Sequence, residues 1–477
     1  MTNNYENVDN DSDDEKNAET SGTKGVVVLR SYKDDKGNFL YDTCARDLER
    51  LNIYKTLKGS KKMYRYVPEL GYYRDDGEEY LQQQMRRIVG SDFRRNRFSE
   101  VLTMVQTDTL MDSEEFKTPT HLLNLKNGYY DLSSNLFIER HNNSDSSGLY
   151  FIDYLPIEYK PKEYFGIDGP CPNIDHFLHQ VLGSQEDVNR MYEWIGYHLW
   201  RANPLKKVGV FLGGHDTGKT TLSELIMRFL GEQNVSNLSM DAIVDDKFDR
   251  VKLYGKLANI SGELSPQFLR DTSLIKALSG GDRLSARLMH NQSDFTFEYY
   301  GKLTFLANRL PGTYEDDDAF YSRVEAWEFP HEFKDREEVG VDYPYIKNPN
   351  ILAELTTSDE LSGLFIRAVE GLNRVLSRGR FTGSLPFEAK RTRYLSLSDS
   401  AKAFLNDAQV VFYGPEYSIE RKKLLEDYHT YCSLNKLTDR SDQYFGRVFT
   451  AHAKQYGILL SHEGGVPTYH GITTYFA

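Results

Sequence analysis

The segment Gly213–Gly214–His215–Asp216–Thr217–Gly218–Lys219–Thr220 carries the clearest chemistry in the chain. It fits the pattern GxxxxGK[ST] in full, the signature of a loop that cradles nucleotide phosphates. Glycines at 213 and 218 let the backbone curl until its N–H groups converge on phosphate oxygens. An apolar run, Val208–Leu212, precedes the loop, and Thr221–Leu230 has the pattern of a helix whose N-terminus adds a positive dipole end. In such loops the lysine, here Lys219, neutralises the β and γ phosphates, and the hydroxyl, here Thr220, faces magnesium. Residues 213–221, through Thr221, are thus the expected site for ATP and Mg2+.

A phosphate loop needs partners on neighbouring strands, because ligands of parallel sheets gather outside the strands' carboxyl ends. The next apolar strand, Leu257–Ile260, runs into Ser261–Gly262–Glu263. Glu263 is the candidate base that orients or activates the attacking water, and it reaches magnesium through water. Its strand carries no aspartate before it, so Thr220, the nucleotide and water are expected to hold the metal. A third strand, Lys302–Ala307, ends at Asn308 ahead of Leu310–Pro311. An amide there can sense the γ phosphate or hold the water.

The elements that must place these residues follow from periodicity. Residues 205–330 alternate short apolar strands with helices, which predicts an α/β domain around a central parallel sheet. Residues 45–115 read as largely helical, with Leu51, Tyr54 and Leu57 at rough helical spacing. Two basic clusters lie there, Lys58, Lys61, Lys62 and Arg65, then Arg86, Arg87, Arg94, Arg95 and Arg97; they fit either a phosphate grip or solvated helix faces. Residues 121–132 predict a hairpin turning at Asn127–Gly128. Gly169–Pro172 reads as a linker, Ile174–Trp200 as helix, residues 350–395 as helix again. The last stretch reads as two helices and two short strands, which fits a winged-helix module; Arg421, Lys422, Lys423, Arg440, Arg447 and Lys454 are its candidate phosphate contacts. The expected division is 1–24 acidic and disordered, 25–170 an amino-terminal region opening on a strand at Gly25–Leu29, 171–350 the ATPase core with its leading helices, 351–399 helical, and 400–477 winged-helix-like.

Composition narrows the class. No apolar run nears the roughly 20 residues of a membrane span, and the polar, acidic start is no signal peptide, so the reading is a soluble cytoplasmic protein with no membrane partner. Cys44, Cys171 and Cys432 are too scattered for a zinc site or a disulfide framework. The net charge of −13 argues weakly against a chain coated by nucleic acid, but a motor needs only a basic channel. Part of that charge sits in residues 1–24, where Glu6, Asp9, Asp11, Asp13, Asp14, Glu15 and Glu19 crowd together.

Taken in order, the phosphate loop, Asn259–Ile260–Ser261–Gly262–Glu263, Gly280–Gly281–Asp282 and Asn308 before Leu310–Pro311 resemble superfamily-3 DNA helicases, and within them the poxvirus, phage and plasmid primase–helicase family. Leu125–Lys126–Asn127–Gly128, Cys171–Pro172, Ile195–Gly196–Tyr197, Ser273–Asp282, Glu360–Leu361–Ser362–Gly363 and Val369–Glu370–Gly371–Leu372 extend the resemblance over roughly residues 60–470. The resemblance implies an AAA+-like core, a mainly helical helicase-associated domain ahead of it, and a hexameric ring that moves 3′→5′ on single-stranded or forked DNA. It implies DNA contacts at Arg283, Arg287 and His290, with Lys276 a weaker one, in an element ending in a β-hairpin. It implies that Arg323 reaches the neighbour's γ phosphate as an arginine finger, with Arg309 as runner-up. Too few residues precede the helicase-associated region for a primase domain, so a separate primase is expected. The competing reading is a replication initiator that binds DNA and hydrolyses ATP without unwinding; a small-molecule kinase is the third.

Overall fold

The computed structural model describes residues 32–112, 115–140, 149–167, 169–263, 272–287, 295–308, 310, 318–435, 437 and 439–476. The acidic segment, the strand expected at Gly25–Leu29, His290 and Arg309 lie outside the described residues.

The amino-terminal region departs from its helical reading. Helix α1 (Tyr41–Leu51) is followed by strands β1 (Tyr54–Leu57), β2 (Met63–Val67) and β3 (Tyr72–Arg74), then helices α2 (Gly77–Val89) and α3 (Arg95–Asp108) and strand β4 (Leu110–Met111). The sheet order is β3-β2-β1-β4, with β1 and β4 parallel and the other pairs antiparallel. The spacing of Leu51, Tyr54 and Leu57 imitates a helix. Yet Tyr54, Tyr64, Tyr66 and Tyr73 favour a pleated, half-buried surface, and Gly59 at φ +84° allows the turn between β1 and β2.

The expected hairpin is present as β5 (Leu122–Leu125) and β6 (Gly128–Asp131), extended by β7 (Leu136–Glu139). Leu125 pairs with Gly128, so the turn residues are Lys126 and Asn127, one position earlier than expected. Gly128 serves packing: a Cβ there would lie 2.2 Å from the Ile138 carbonyl oxygen. The expected single helix 174–200 is two, α4 (Pro172–Leu182) and α5 (Gln185–His198). Gly183 at φ +73° ends the first, and the Ser184 hydroxyl caps the second by accepting from the Asp187 N–H at 3.1 Å.

The core contains β8 (Val208–Leu212), α6 (Lys219–Leu230), β9 (Val235–Ser236), α7 (Met240–Asp245), β10 (Ala258–Glu263), α8 (Ser273–Gly280), the hairpin β11 (Arg283–Ala286) and β12 (Phe295–Glu298), β13 (Lys302–Ala307), α9 (Asp318–Tyr321) and β14 (Val324–Glu328). Five strands form one parallel sheet in the order β14-β8-β13-β10-β9. The chain leaves β8 for the far edge, works back to β13, and then flanks β8 on its other side. The three strands read from sequence therefore lie side by side. The mixed α/β reading with a central parallel sheet holds.

Beyond the core come α10 (Ile351–Leu355), α11 (Ser358–Arg378), α12 (Phe387–Ser398) and α13 (Ser400–Leu405). Helix α11 packs along α5, and both join α4 and the strands in one apolar core that includes Trp194, Phe211, Trp327 and Phe365. The chain ends with β15 (Val411–Glu420), α14 (Arg421–Leu434), α15 (Asp442–Tyr456), β16 (Leu459–Glu463) and β17 (Val466–Thr474), the strands ordered β15-β17-β16. The expected two helices and two strands are there; β15, broken by Gly414–Pro415, escaped the pattern. Among the described residues no helix is long and apolar enough to cross a membrane.

One buried base couples this core to pH. His198 is inaccessible, its Nδ1 2.7 Å from the Trp194 carbonyl oxygen and its Nε2 3.4 Å from the Thr304 hydroxyl. Burial pushes its pKa down from 6.5 to about 3. The folded pKa lies below the unfolded one, so the unfolded chain binds more protons across that window. The stability present above pH 6.5 is lost progressively down to about pH 3. Each pH unit costs about 1.4 kcal/mol at most. A His198→Asn chain should therefore show a shallower loss of unfolding free energy between pH 6 and pH 4 than the parent, in denaturant titrations followed by tryptophan fluorescence.

Candidate nucleotide-binding site

Strand β8 is buried throughout and delivers the glycine-rich loop to the carboxyl edge of the sheet. The Gly213 N–H donates to the Ala307 carbonyl at 3.1 Å, so the loop begins against the end of β13. A Cβ at Gly213 would lie 2.8 Å from the Phe329 carbonyl oxygen. Gly218 has φ +90°, and a Cβ there would lie 2.6 Å from Val181 Cγ1 of α4. Both glycines are thus required by space, and Gly218 by backbone conformation too. Helix α6 starts at Lys219 with no side chain capping its first turn. Its leading N–H groups therefore remain for another acceptor.

Lys219 is buried and folds back over the loop. Its Nζ donates to the Gly213 carbonyl at 2.8 Å, to the Gly214 carbonyl, and to the Thr217 hydroxyl at 3.2 Å. Burial lowers its pKa, and Asp216 opposes that shift. The Thr217 hydroxyl donates within the loop, to the Gly214 carbonyl at 3.2 Å, whereas Thr220 is exposed. His215 and Asp216 are exposed, and Asp216 sits at φ +54°.

Asn308 is exposed directly after β13, and Ala307 pairs with Leu212, so Asn308 and Gly213 leave adjacent strands at one level. Glu263 ends β10 and pairs with Leu306 of β13, with a register shift between Ser261 and Glu263. Its backbone therefore stands at the same edge, one strand further on. Such irregularities recur beside functional sites, where they re-aim the chain. The neighbouring Asn259, from the same motif, is structural: its buried amide bonds Leu238 N–H and carbonyl, each at 2.9 Å, and the Ser236 hydroxyl at 2.9 Å.

Arg323 is not brought to this edge. It precedes β14, and its carbonyl accepts from the Val208 N–H at 2.9 Å, at the start of β8. The length of β8 separates it from the loop, about 16 Å at roughly 3.3 Å per residue. Its Nη1 donates to the Ala319 carbonyl at 2.5 Å, and its Nε is buried without a hydrogen-bond partner. Arg283 opens β11 opposite Glu298 and is exposed, and the Arg287 N–H donates to the Lys247 carbonyl at 3.1 Å. The hairpin's turn, residues 288–294 with His290, lies outside the described residues. Lys276 lies on α8.

The sequence reading missed a strap after β14. The Phe333 N–H donates to the Asp216 carbonyl at 2.7 Å. Lys347 Nζ lies 2.9 Å from Asp216 Oδ2 and 3.3 Å from Asp335 Oδ2, and both raise its pKa. No motif marks these residues; only their proximity to the loop shows them.

Backbone donors, a lysine and a helix N-terminus thus come together at the glycine-rich loop, and Asn308 and the carboxyl end of β10 leave the neighbouring strands at the same edge. Residues 38–183 match the family model described as D5 N terminal like. Residues 211–323, which hold the loop, Glu263, Asn308 and Arg323, match a family of unknown function, DUF5906. No curated protein matches the chain. Among solved structures, two apo structures of the NrS-1 C-terminal region are similar at 12% and 13% identity, with TM-scores of 0.45 and 0.43. Each match covers 90% of this chain and 98% of that one.

Proposed function

We propose that the chain is an ATP-driven DNA helicase that works as a hexameric ring, moving 3′→5′ on single-stranded DNA. The observation that carries the reading is the common edge of β8, β13 and β10, where the glycine-rich loop, Asn308 and Glu263 stand on adjacent strands. The D5 N terminal like match over residues 38–183 supports the replication context. Lys219 and the first N–H groups of α6 bind the phosphates, and Thr220 offers the hydroxyl to Mg2+. Bound there, the metal would supply charge neutralisation for the phosphates. Glu263 orients the water and Asn308 holds it against the γ phosphate. Arg323, far from its own loop, serves the neighbouring subunit's site, and Arg283, Arg287, His290 and Lys276 line the DNA path.

Turnover of ATP with and without single-stranded DNA tests the reading, together with strand separation of a forked duplex. DNA should stimulate hydrolysis and the fork should open. Hydrolysis indifferent to DNA of any length would overturn it. The initiator reading draws on one observation: α15 exposes Gln443, Arg447, Thr450 and Lys454 along one face, as a duplex-reading helix would. Stimulation by duplex without fork opening would select it.

Two residues sharpen the test. Mixing Arg323→Ala chains with Lys219→Ala chains should restore part of the hydrolysis that each has lost, because hybrid interfaces pair an intact loop with an intact arginine. No rescue at any ratio would remove Arg323 from the neighbour's site. Lys347, by neutralising Asp216, lets the loop accept phosphate charge. Lys347→Ala should weaken ATP binding several-fold, and adding Asp216→Asn should restore it, as titration of a fluorescent ATP analogue would show. Equal affinities in all three chains would exclude the pairing from nucleotide binding.

A further inference from the structure

The end of α2, the turn at Gly90–Asp92 and the start of α3 form one corner that holds Arg86, Arg87, Arg94, Arg95 and Arg97. The first four are exposed. The one acid in this stretch, Asp92, is already engaged, 2.6 Å from Lys33 Nζ and 3.7 Å from Arg97. Arg86, Arg87 and Arg95 have no carboxylate partner among the described residues. Helix stability explains only part of the cluster. Arg86 and Arg87 suit the negative end of α2, but Arg94, Arg95 and Arg97 crowd the start of α3, where a positive charge is unfavourable, and the first turn itself holds no acid.

The chain enters the described structure at this corner. Lys33 bridges to Phe39 in a small antiparallel turn and reaches Asp92, while Arg97 lies 4.8 Å from the Phe39 ring. The residues before Tyr32 include Glu6, Asp9, Asp11, Asp13, Asp14, Glu15 and Glu19, against Lys16, Lys24 and Arg30. Opposite charge is thus tethered next to the arginines.

We propose that the arginine corner is the docking site of the chain's own acidic segment, residues 6–19. Twelve residues, 20–31, connect the segment to Tyr32, and a chain of that length can span up to about 40 Å, so the segment is long enough to reach the corner. Tethering on this scale sustains a local concentration of about millimolar. Each exposed ion pair is weak and screened by salt, so the contact depends on the number of charges and not on one geometry. It keeps the corner from other polyanions, which must displace the segment first. The inference does not depend on the nucleotide reading.

Spin labels on the full chain test it. Cys44, Cys171 and Cys432 are all buried, so cysteines introduced as Ser12→Cys and Gln83→Cys accept the label selectively. The distance distribution should contain a short population at low salt that disappears in 1 M NaCl. The same population should vanish in Arg87→Gln/Arg94→Glu/Arg95→Glu, a variant whose two new acids fall at the start of α3, where the helix dipole favours them, and which places none at the end of α2. A distribution unchanged by charge reversal and salt would overturn the proposal. So would a short distance that dilution with unlabelled chain abolishes, since the contact would then join two copies. A single-stranded oligodeoxynucleotide that saturates the corner while the short population persists would also overturn it.

Discussion

Lys219→Ala should weaken ATP binding by about 10²–10⁴-fold and leave the fold intact. A hydrogen bond to a charged group contributes about 1.5–3 kcal/mol, and the lysine is placed to engage two phosphates. Its removal has little structural cost, for two reasons. Burial lowers the Lys219 pKa, so the folded chain holds this cation against a desolvation penalty that alanine lacks. Its acceptors include the carbonyl of exposed Gly214, which water can satisfy. Titration with a fluorescent ATP analogue and a thermal melt of the same variant separate the two effects. Lost binding with an unchanged melt is the expected pair. Retained binding would place the phosphates elsewhere. A collapsed melt with lost binding would make Lys219 a loop staple, whose role is to tie Gly213, Gly214 and Thr217 together.

What could be read in advance depended on range. The loop 213–220, β8 and β13 were legible because their signals are local: an apolar run, then glycines at fixed spacing. Asn308 and Glu263 were legible as strand ends, since a parallel sheet gathers such ends on one side. The amino-terminal sheet was not, because tyrosine-rich strands of three to five residues mimic helical spacing over short windows. Strand β14 and the Lys347 strap had no signature, as their roles arise only from closure against β8 and Asp216. Arg323 was legible as a residue but not as a position; only the pairing of β14 with β8 puts it at the edge away from its own loop. Several segments that carry the helicase resemblance also have a local physical meaning. Asn259 ties β9 to β10, and Gly128 admits β7.

Gly196, Gly363 and Gly371 show the same principle at larger scale and yield the largest expected loss of stability. Helices α5 and α11 approach so closely that a Cβ at Gly196 would lie 2.0 Å from the Ala368 carbonyl oxygen, and one at Gly371 would lie 2.7 Å from that of Tyr192. At Gly363 a Cβ would meet the Pro170 carbonyl oxygen at 1.6 Å. These obstacles are backbone atoms, so no side-chain rotation relieves them and α11 must move away from α5 or from residue 170. Such a shift would open a core that holds Leu364, Phe365, Leu372 and Trp194. Overpacking typically costs about 1–3 kcal/mol, and Gly196→Ala and Gly363→Ala should sit at or above the top of that range. Gly446→Ala is the matched control: within α15 a Cβ meets nothing within 4 Å among the described residues, and alanine there should stabilise by about 0.5–1 kcal/mol. The chain's three tryptophans, Trp194, Trp200 and Trp327, all pack in or against this core, so intrinsic fluorescence in urea reports its unfolding directly. A fluorescence midpoint that drops for the two core variants and not for Gly446→Ala is expected. Equal midpoints in all three would mean that the helices can separate at little cost. Because α4 packs in the same core and its Val181 backs Gly218, Gly196→Ala should also loosen the glycine-rich loop, and its ATP affinity should fall even where the chain remains folded.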